Sequence, residues 1–306
     1  MSSVSVSHST FASGRQKLLA HLAMIGFASF VAGSFSVGAL AAPHVGPTAL
    51  NAMRFVFGTA IMGAIALVIL KGRIPRPGAE WRFLVLGGLM AVFFVTMFVA
   101  LRMTDPVSSG AVFTLMPMLS AFFGWLFLGQ VPGRIVVLSL FIAGCGAVWV
   151  VFGGELDALL AFDVGAGELI FLVGVACHAA YAPLVRRLNR GEPVIAFTFF
   201  TLAGTLAGLA LYGAPEIAAT DWTALPAIVW VSIAYLAVFT TAGTFFLLQY
   251  ATMRLPAAKV LAYGYLTPTM VILYEGLLGH GWVSPSVALG AMVTVGGLAV
   301  LIASPD

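Results

Sequence analysis

The chain has 306 residues, 61% of them hydrophobic and 8% charged, with a formal net charge of +3 and a mean hydropathy of +1.08. Soluble globular domains carry about 25% charged residues, and 14 Lys and Arg with 11 Asp and Glu are too few to solvate an ordinary surface of this length. That excludes a soluble enzyme, a nucleic-acid binder and a disordered scaffold, and leaves a membrane protein whose first partner is the lipid bilayer.

Crossing about 30 Å of hydrocarbon takes about 20 mostly apolar helical residues. Runs of that kind fall at 18–41, 47–70, 82–102, 106–128 and 134–152, then at 166–186, 194–213, 226–251, 256–279 and 284–303. Prolines punctuate their edges, among them Pro43, Pro47, Pro106, Pro132, Pro193, Pro256 and Pro285. None alternates in the manner of barrel strands. The expected fold class is an all-α polytopic membrane protein of ten transmembrane helices. The first run follows Arg15 and Lys17 as a signal sequence would, but it exceeds the 7–15 apolar residues of such a segment and reads as a retained helix.

An N-terminus on the inside puts Arg15, Lys17, Lys71, Arg73, Arg76, Arg82, Arg134, Arg186, Arg187, Arg190, Arg254 and Lys259 there, 12 of the 14 basic residues. Arg102 stays outside and Arg54 within a span. This asymmetry predicts cytoplasmic termini in a cytoplasmic (inner) membrane. Cys145 and Cys177 sit apart in apolar runs, so neither a disulfide framework nor a metal site is expected. No nucleotide-binding loop or hydrolase motif is present, and no cofactor is implied.

The two halves resemble each other. Residues 99–118 lie on 250–269 at an offset of 151, which brings Pro117 onto Pro268 and Gly146 onto Gly297. Five spans per half force opposite orientations, so the repeats are inverted, an architecture of transporters with substrate handled near the midplane. The division expected is a tail at 1–17, repeats at 18–152 and 166–303, an external linker at 153–165 and a tail at 304–306.

Polar groups inside spans are costly and need an account. In helix one Ser34 is a candidate for the substrate pathway, and in helix three Thr96. Arg54 in helix two has two readings: a cation that draws a carboxylate in from the outer vestibule, or a side chain that snorkels outward to pair with Asp105. In helix six His178 and Tyr181 share a face at i and i+3 and can hydrogen-bond a polar cargo; the alternative is a histidine satisfied by a neighbouring helix. Thr240 and Thr244 in helix eight and Tyr263 and Thr267 in helix nine complete the pathway set, although small hydroxyl residues also glue helices together. Glu275 is the one acidic residue inside a span, and with His178 it is a candidate for proton coupling; an interfacial anchor is the other reading. Pro117 and Pro268 remove backbone hydrogen bonds at equivalent places and are candidate hinges.

The stretch GSFSVGALAAPHVGPTALNAMRF (33–55), with its Arg54–Phe55 pair, resembles the first two helices of EamA-type members of the drug/metabolite transporter superfamily. Residues 100–130 resemble that family's third and fourth helices, 176–188 its sixth, and 254–280 its eighth and ninth. Departures occur at Gln130, where the family commonly has glutamate, at Ala32, where an aromatic is usual, and at His178, where tryptophan is common. The resemblance implies a proton-coupled or passive exporter of small metabolites, often amino acids. The function expected is therefore a secondary transporter exporting amino acids or similar small polar metabolites by alternating access. Efflux of lipophilic cations is one alternative. A polytopic lipid-modifying enzyme is another, which would need clustered His, Asp or Glu where His8, His21, His44, His178 and His280 are scattered.

Overall fold

The computed structural model describes residues 11–304 apart from Ala42, 101–102, 105–109, Ala111, Asp163, Leu278 and His280, together with the side chains of Phe35, Ser36, Ala39 and Glu275. The described residues form helices and connecting turns: α1 (Gly14–Ala41), α2 (Pro47–Ile69), α3 (Trp81–Ala100), α4 (Met116–Leu128) and α5 (Arg134–Val151) in the first half. The second half holds α6 (Ala166–Leu188), α7 (Val194–Ala219), α8 (Ala227–Thr252), α9 (257–277) and α10 (Pro285–Ala303). A short helix, Leu156–Leu160, lies in the segment that joins the halves. Eight helices have the length and apolarity to span a membrane by themselves, and α4 and α9 are the exceptions. The fourth run is interrupted at 114–115, so its continuous helix is only Met116–Leu128. The ninth is broken by a 3₁₀ turn at Tyr263–Tyr265.

Proline and glycine set the ends. Pro47 and Pro285 stand in the first turns of α2 and α10, where their missing N–H costs no hydrogen bond. Gly129 closes α4 in the left-handed conformation (φ 66°).

The helices pair as inverted repeats require. α3 packs on α6 and α7, α4 on α6, and each pair has its counterpart when helix n is exchanged for helix n+5: α8 packs on α1 and α2, and α9 on α1. The self-related pairs α2–α7 and α5–α10 are also in contact. At the α5–α10 crossing Thr294 Oγ1 approaches Ala143 O at 3.4 Å. Positions 143 and 294 are equivalent under the 151-residue offset, so the pseudo-two-fold axis passes between them. The approach depends on glycine. A Cβ on Gly146 would stand 2.6 Å from Thr294 Oγ1, and one on Gly297 would stand 2.8 Å from Ala143 N.

The two ends of the bundle are stitched separately. At the basic end Arg254 Nε donates to Gln16 Oε1 (3.0 Å), Arg187 to Phe127 O (2.9 Å), Ala257 N to Gln130 Oε1 (3.2 Å) and Lys259 Nζ to Ser304 O (2.6 Å). Buried Arg82 donates there to Leu188 O and forms an ion pair with Glu192. At the opposite end Glu216 Oε1 accepts from Thr48 N and Ala49 N (both 2.9 Å), Thr104 meets Glu168, and Trp149 Nε1 donates to Ser286 O (3.1 Å).

Candidate functional site: a one-sided cavity between the repeats

A cavity of about 620 Å³ lies between the halves, lined from α1–α6, α8 and α9. Its wall begins at the end opposite the basic one, with Gly38, Val45, Pro47, Gly110 and Val151, and descends past the middle of the bundle to Phe245, Leu248 and Gly264. Below it the rings of Phe55, Phe245 and Tyr181 close the floor: Phe55–Phe245 centroids are 5.6 Å apart and Tyr181–Phe245 centroids 6.1 Å.

Ser34, Arg54, Pro117, His178, Thr240, Thr244, Thr267 and Pro268 all line this space, drawn from both halves. The Arg54 guanidinium lies over the Phe94 ring, 4.8 Å from its centroid, and 5.4 Å from that of Phe55. Its Nε is buried without a hydrogen-bond partner. Among the described residues it forms no ion pair, and Asp105, its partner in one sequence reading, lies outside them. His178 is 6% exposed, and neither ring nitrogen has a hydrogen-bond partner among the described residues. Thr240 and Thr244 donate to Leu236 O (2.9 Å) and Thr240 O (2.8 Å), and Ser34 to Val31 O (2.6 Å). These three hydroxyls satisfy backbone inside the bilayer and present only lone pairs to the cavity. Thr267 Oγ1 is buried without a partner among the described residues.

The structure does not bring Thr96, Tyr181 or Tyr263 to the lining. Thr96 bonds its own helix at Val92 O (2.8 Å) and abuts Gly174 of α6. Tyr181, fully buried, accepts from Gln249 Nε2 (2.7 Å), and Thr198 donates to Gln249 Oε1 (2.7 Å), a polar chain beneath the floor. Tyr263 Oη meets His21 Nδ1 at 2.8 Å, tying α9 to α1. Glu275 lies on α9 with its side chain outside the described residues. Pro117 is the second residue of α4 and Pro268 the third of the helix that resumes at Leu266, so each proline starts a helical segment just after a break.

The EamA-like transporter family model matches residues 18–152 and 165–303. The chain belongs to the EamA-like transporter family. It is similar to an uncharacterized transporter, YyaM, of Bacillus subtilis (strain 168), at 24% identity over 290 residues and 93% of each chain. A solved crystal structure shares the fold with a TM-score of 0.77 at 22% identity, covering 94% of this chain and 96% of that one.

This EamA-like transporter also lines its cavity with residues that the sequence did not single out. Asn51 sits one turn before Arg54; its Nδ2 donates to Pro47 O (2.7 Å), while its Oδ1 is buried without a partner. An amide inside an apolar span was the available signal. Tyr265 lines the cavity, and its buried hydroxyl has no partner among the described residues. Phe27, Phe93, Phe94, Phe98, Phe113, Phe171 and Phe245 also line the cavity, and nothing in a sequence with 24 phenylalanines marks these seven.

Proposed function

We propose that this transporter is a secondary carrier that exports small carboxylate metabolites, amino acids included, across the cytoplasmic membrane by alternating access between its repeats. The observation that carries this reading is Arg54, a cation in the membrane-spanning wall of a one-sided cavity with no counter-ion among the described residues. An unpaired cation in a low-dielectric cleft attracts an anion and repels a cation, which favours carboxylates over lipophilic cations. The Lys/Arg asymmetry supports a cytoplasmic basic end, with both termini inside and the 153–165 segment outside. The cavity then opens outward, and the opposite state requires the basic-end contacts to part. The repeats at 18–152 and 166–303 would rock against each other, with the breaks before Pro117 and Pro268 absorbing the bend. Glu275 and His178 would carry the proton exchange where a pH gradient drives export.

The test is a tolerance screen. Cells expressing the wild type or Arg54→Gln at equal membrane abundance are challenged with inhibitory amino acids, their analogues, other carboxylates and lipophilic cations. Tolerance to one or more carboxylates, lost in the variant, is the expected result. Tolerance confined to cations, or carboxylate tolerance untouched by Arg54→Gln, would refute the reading.

A further inference from the structure

Resting on the carboxylate reading above, we infer that the favoured cargo is a monocarboxylate with an uncharged aromatic body, in preference to a zwitterionic amino acid. Arg54 is the one side chain with a full charge among the described lining residues, and none of them is acidic. A carboxylate entering the cavity meets a half-buried guanidinium that forms no ion pair among the described residues. An ammonium entering with it meets no carboxylate among the described lining residues, only neutral groups such as the oxygens of Ser34, Thr240 and Thr244. Stripping water from an ammonium without a countercharge is unfavourable, and the nearby guanidinium repels it further in a low-dielectric space. The charge pattern therefore selects against the amino group while it selects for the acid.

The walls specify the body. Phe93, Phe113 and Phe171 converge with centroid separations of 6.2, 6.0 and 6.5 Å, and Phe113 and Phe171 are nearly parallel at 9°. The His178 ring joins them, 4.6 Å from Phe93 and 6.4 Å from Phe113. A flat ring laid on this surface finds offset and edge contacts together. The imidazole adds a fourth flat ring to this surface, with both nitrogens buried and without partners among the described residues. Charge and aromatic wall are adjacent. Arg54 lies over Phe94, and Phe94 touches Phe93 at 5.1 Å between centroids. A molecule that carries a carboxylate beside a ring presents one group to each. The volume, about 620 Å³, falls within the range of about 300–1,000 Å³ usual for small-molecule sites.

Four labelled compounds separate the terms: phenylacetate (anion with ring), phenylalanine (zwitterion with ring), phenethylamine (cation with ring) and acetate (anion without ring). Each is measured separately by equilibrium dialysis against the full-length protein in nanodiscs. Phenylacetate is expected to bind at least about tenfold more tightly than phenylalanine or acetate, with phenethylamine not retained. Arg54→Gln should weaken phenylacetate at least about tenfold and Arg54→Lys by less, size-exclusion profiles reporting whether each variant is folded. Phenylalanine binding as well as phenylacetate would overturn this inference and leave the carboxylate reading standing. Phenethylamine binding best would overturn both. Phenylacetate failing to bind the wild type, or binding folded Arg54→Gln unchanged, would also overturn the inference. The wild-type comparison decides the matter even if neither variant folds.

Discussion

Replacing Glu192 by alanine tests the clamp that joins two loops at the basic end. Arg82 is fully buried at the start of α3, and its guanidinium donates to Gly78 O, Ala79 O (Nε, 3.1 Å), Leu188 O and the Glu192 carboxylate. The α2–α3 and α6–α7 loops are thereby joined. Glu192 also accepts from Arg190 N at 2.6 Å, and its side chain is 16% exposed. Truncation leaves a buried cation with carbonyl acceptors and no countercharge. Losing one partner of a buried pair costs about 3–5 kcal/mol, and the partial exposure of Glu192, which admits water, places this case near about 3 kcal/mol. Thermal unfolding in detergent, followed by tryptophan fluorescence, should then fall by about 6–10 °C. Acidity should reproduce the loss. Partial burial raises the Glu192 pKa, but hydrogen bonds from Arg82 and from backbone N–H groups, with the Arg82 charge, outweigh it and hold the carboxyl below its ordinary 4.5. A depressed carboxyl stabilises the fold above its unfolded pKa and loses that contribution as pH falls through its folded pKa. The gap between the wild type and Glu192→Gln should accordingly be full at neutral pH and shrink below about pH 4.5. A Glu192→Ala midpoint within about 1 °C of the wild type, or a gap that widens on acidification, would refute the clamp.

Two further expectations concern the repeat axis and coupling. Gly146→Leu adds a side chain where a Cβ already stands 2.6 Å from Thr294 Oγ1 and 2.7 Å from Gly290 O. α5 and α10 must separate, at about 1–3 kcal/mol or more, read as a lowered unfolding midpoint, whereas leucine at Gly296, which faces open space, should leave it unchanged. Glu275→Gln keeps the shape and removes the titration, so pH-gradient-driven transport in liposomes should fail while exchange of substrate for substrate survives; full gradient-driven transport would leave Glu275 an anchor.

The helical architecture and its two-fold repetition were legible because apolar length and proline punctuation are local properties, and because the 151-residue offset survives in Pro117/Pro268 and Gly146/Gly297. Arg54 was legible for a related reason: a charge within an apolar run is rare enough to notice. The Phe94 ring that it lies over was not. Periodicity puts His178 and Tyr181 on one face, yet His178 lines the cavity while Tyr181, a turn nearer the basic end, lies under the floor with Gln249. A three-residue step along a helix is about 4.5 Å, enough to pass from wall to floor, and sequence spacing does not say where the floor is. Tyr263 was diverted in the same way by His21, 242 positions away.

The least legible feature is the backbone itself. α8 is π-helical over Leu236–Gly243, α9 passes through a 3₁₀ turn at Tyr263–Tyr265, and the fourth helix breaks before Met116. Facing lipid, such irregularities would leave peptide groups without partners; here each is placed against the cavity, and the Thr240 and Thr244 hydroxyls bond backbone carbonyls within and at the edge of the π segment. The two breaks in equivalent helices also meet. A Cβ on Gly264, inside the 3₁₀ turn, would stand 3.0 Å from Met116 Cε at the start of α4. Pro117 and Pro268 follow these breaks within three residues, where a proline leaves no intrahelical bond unmade. A mid-helix proline kink breaks a hydrogen bond once and holds a fixed bend. A break already capped by proline has no such bond to lose if the segments turn, unlike the proline-free interiors of α2 and α3. Packed against each other where the repeats meet, two such breaks are where the proposed rocking of the repeats would bend both halves at once.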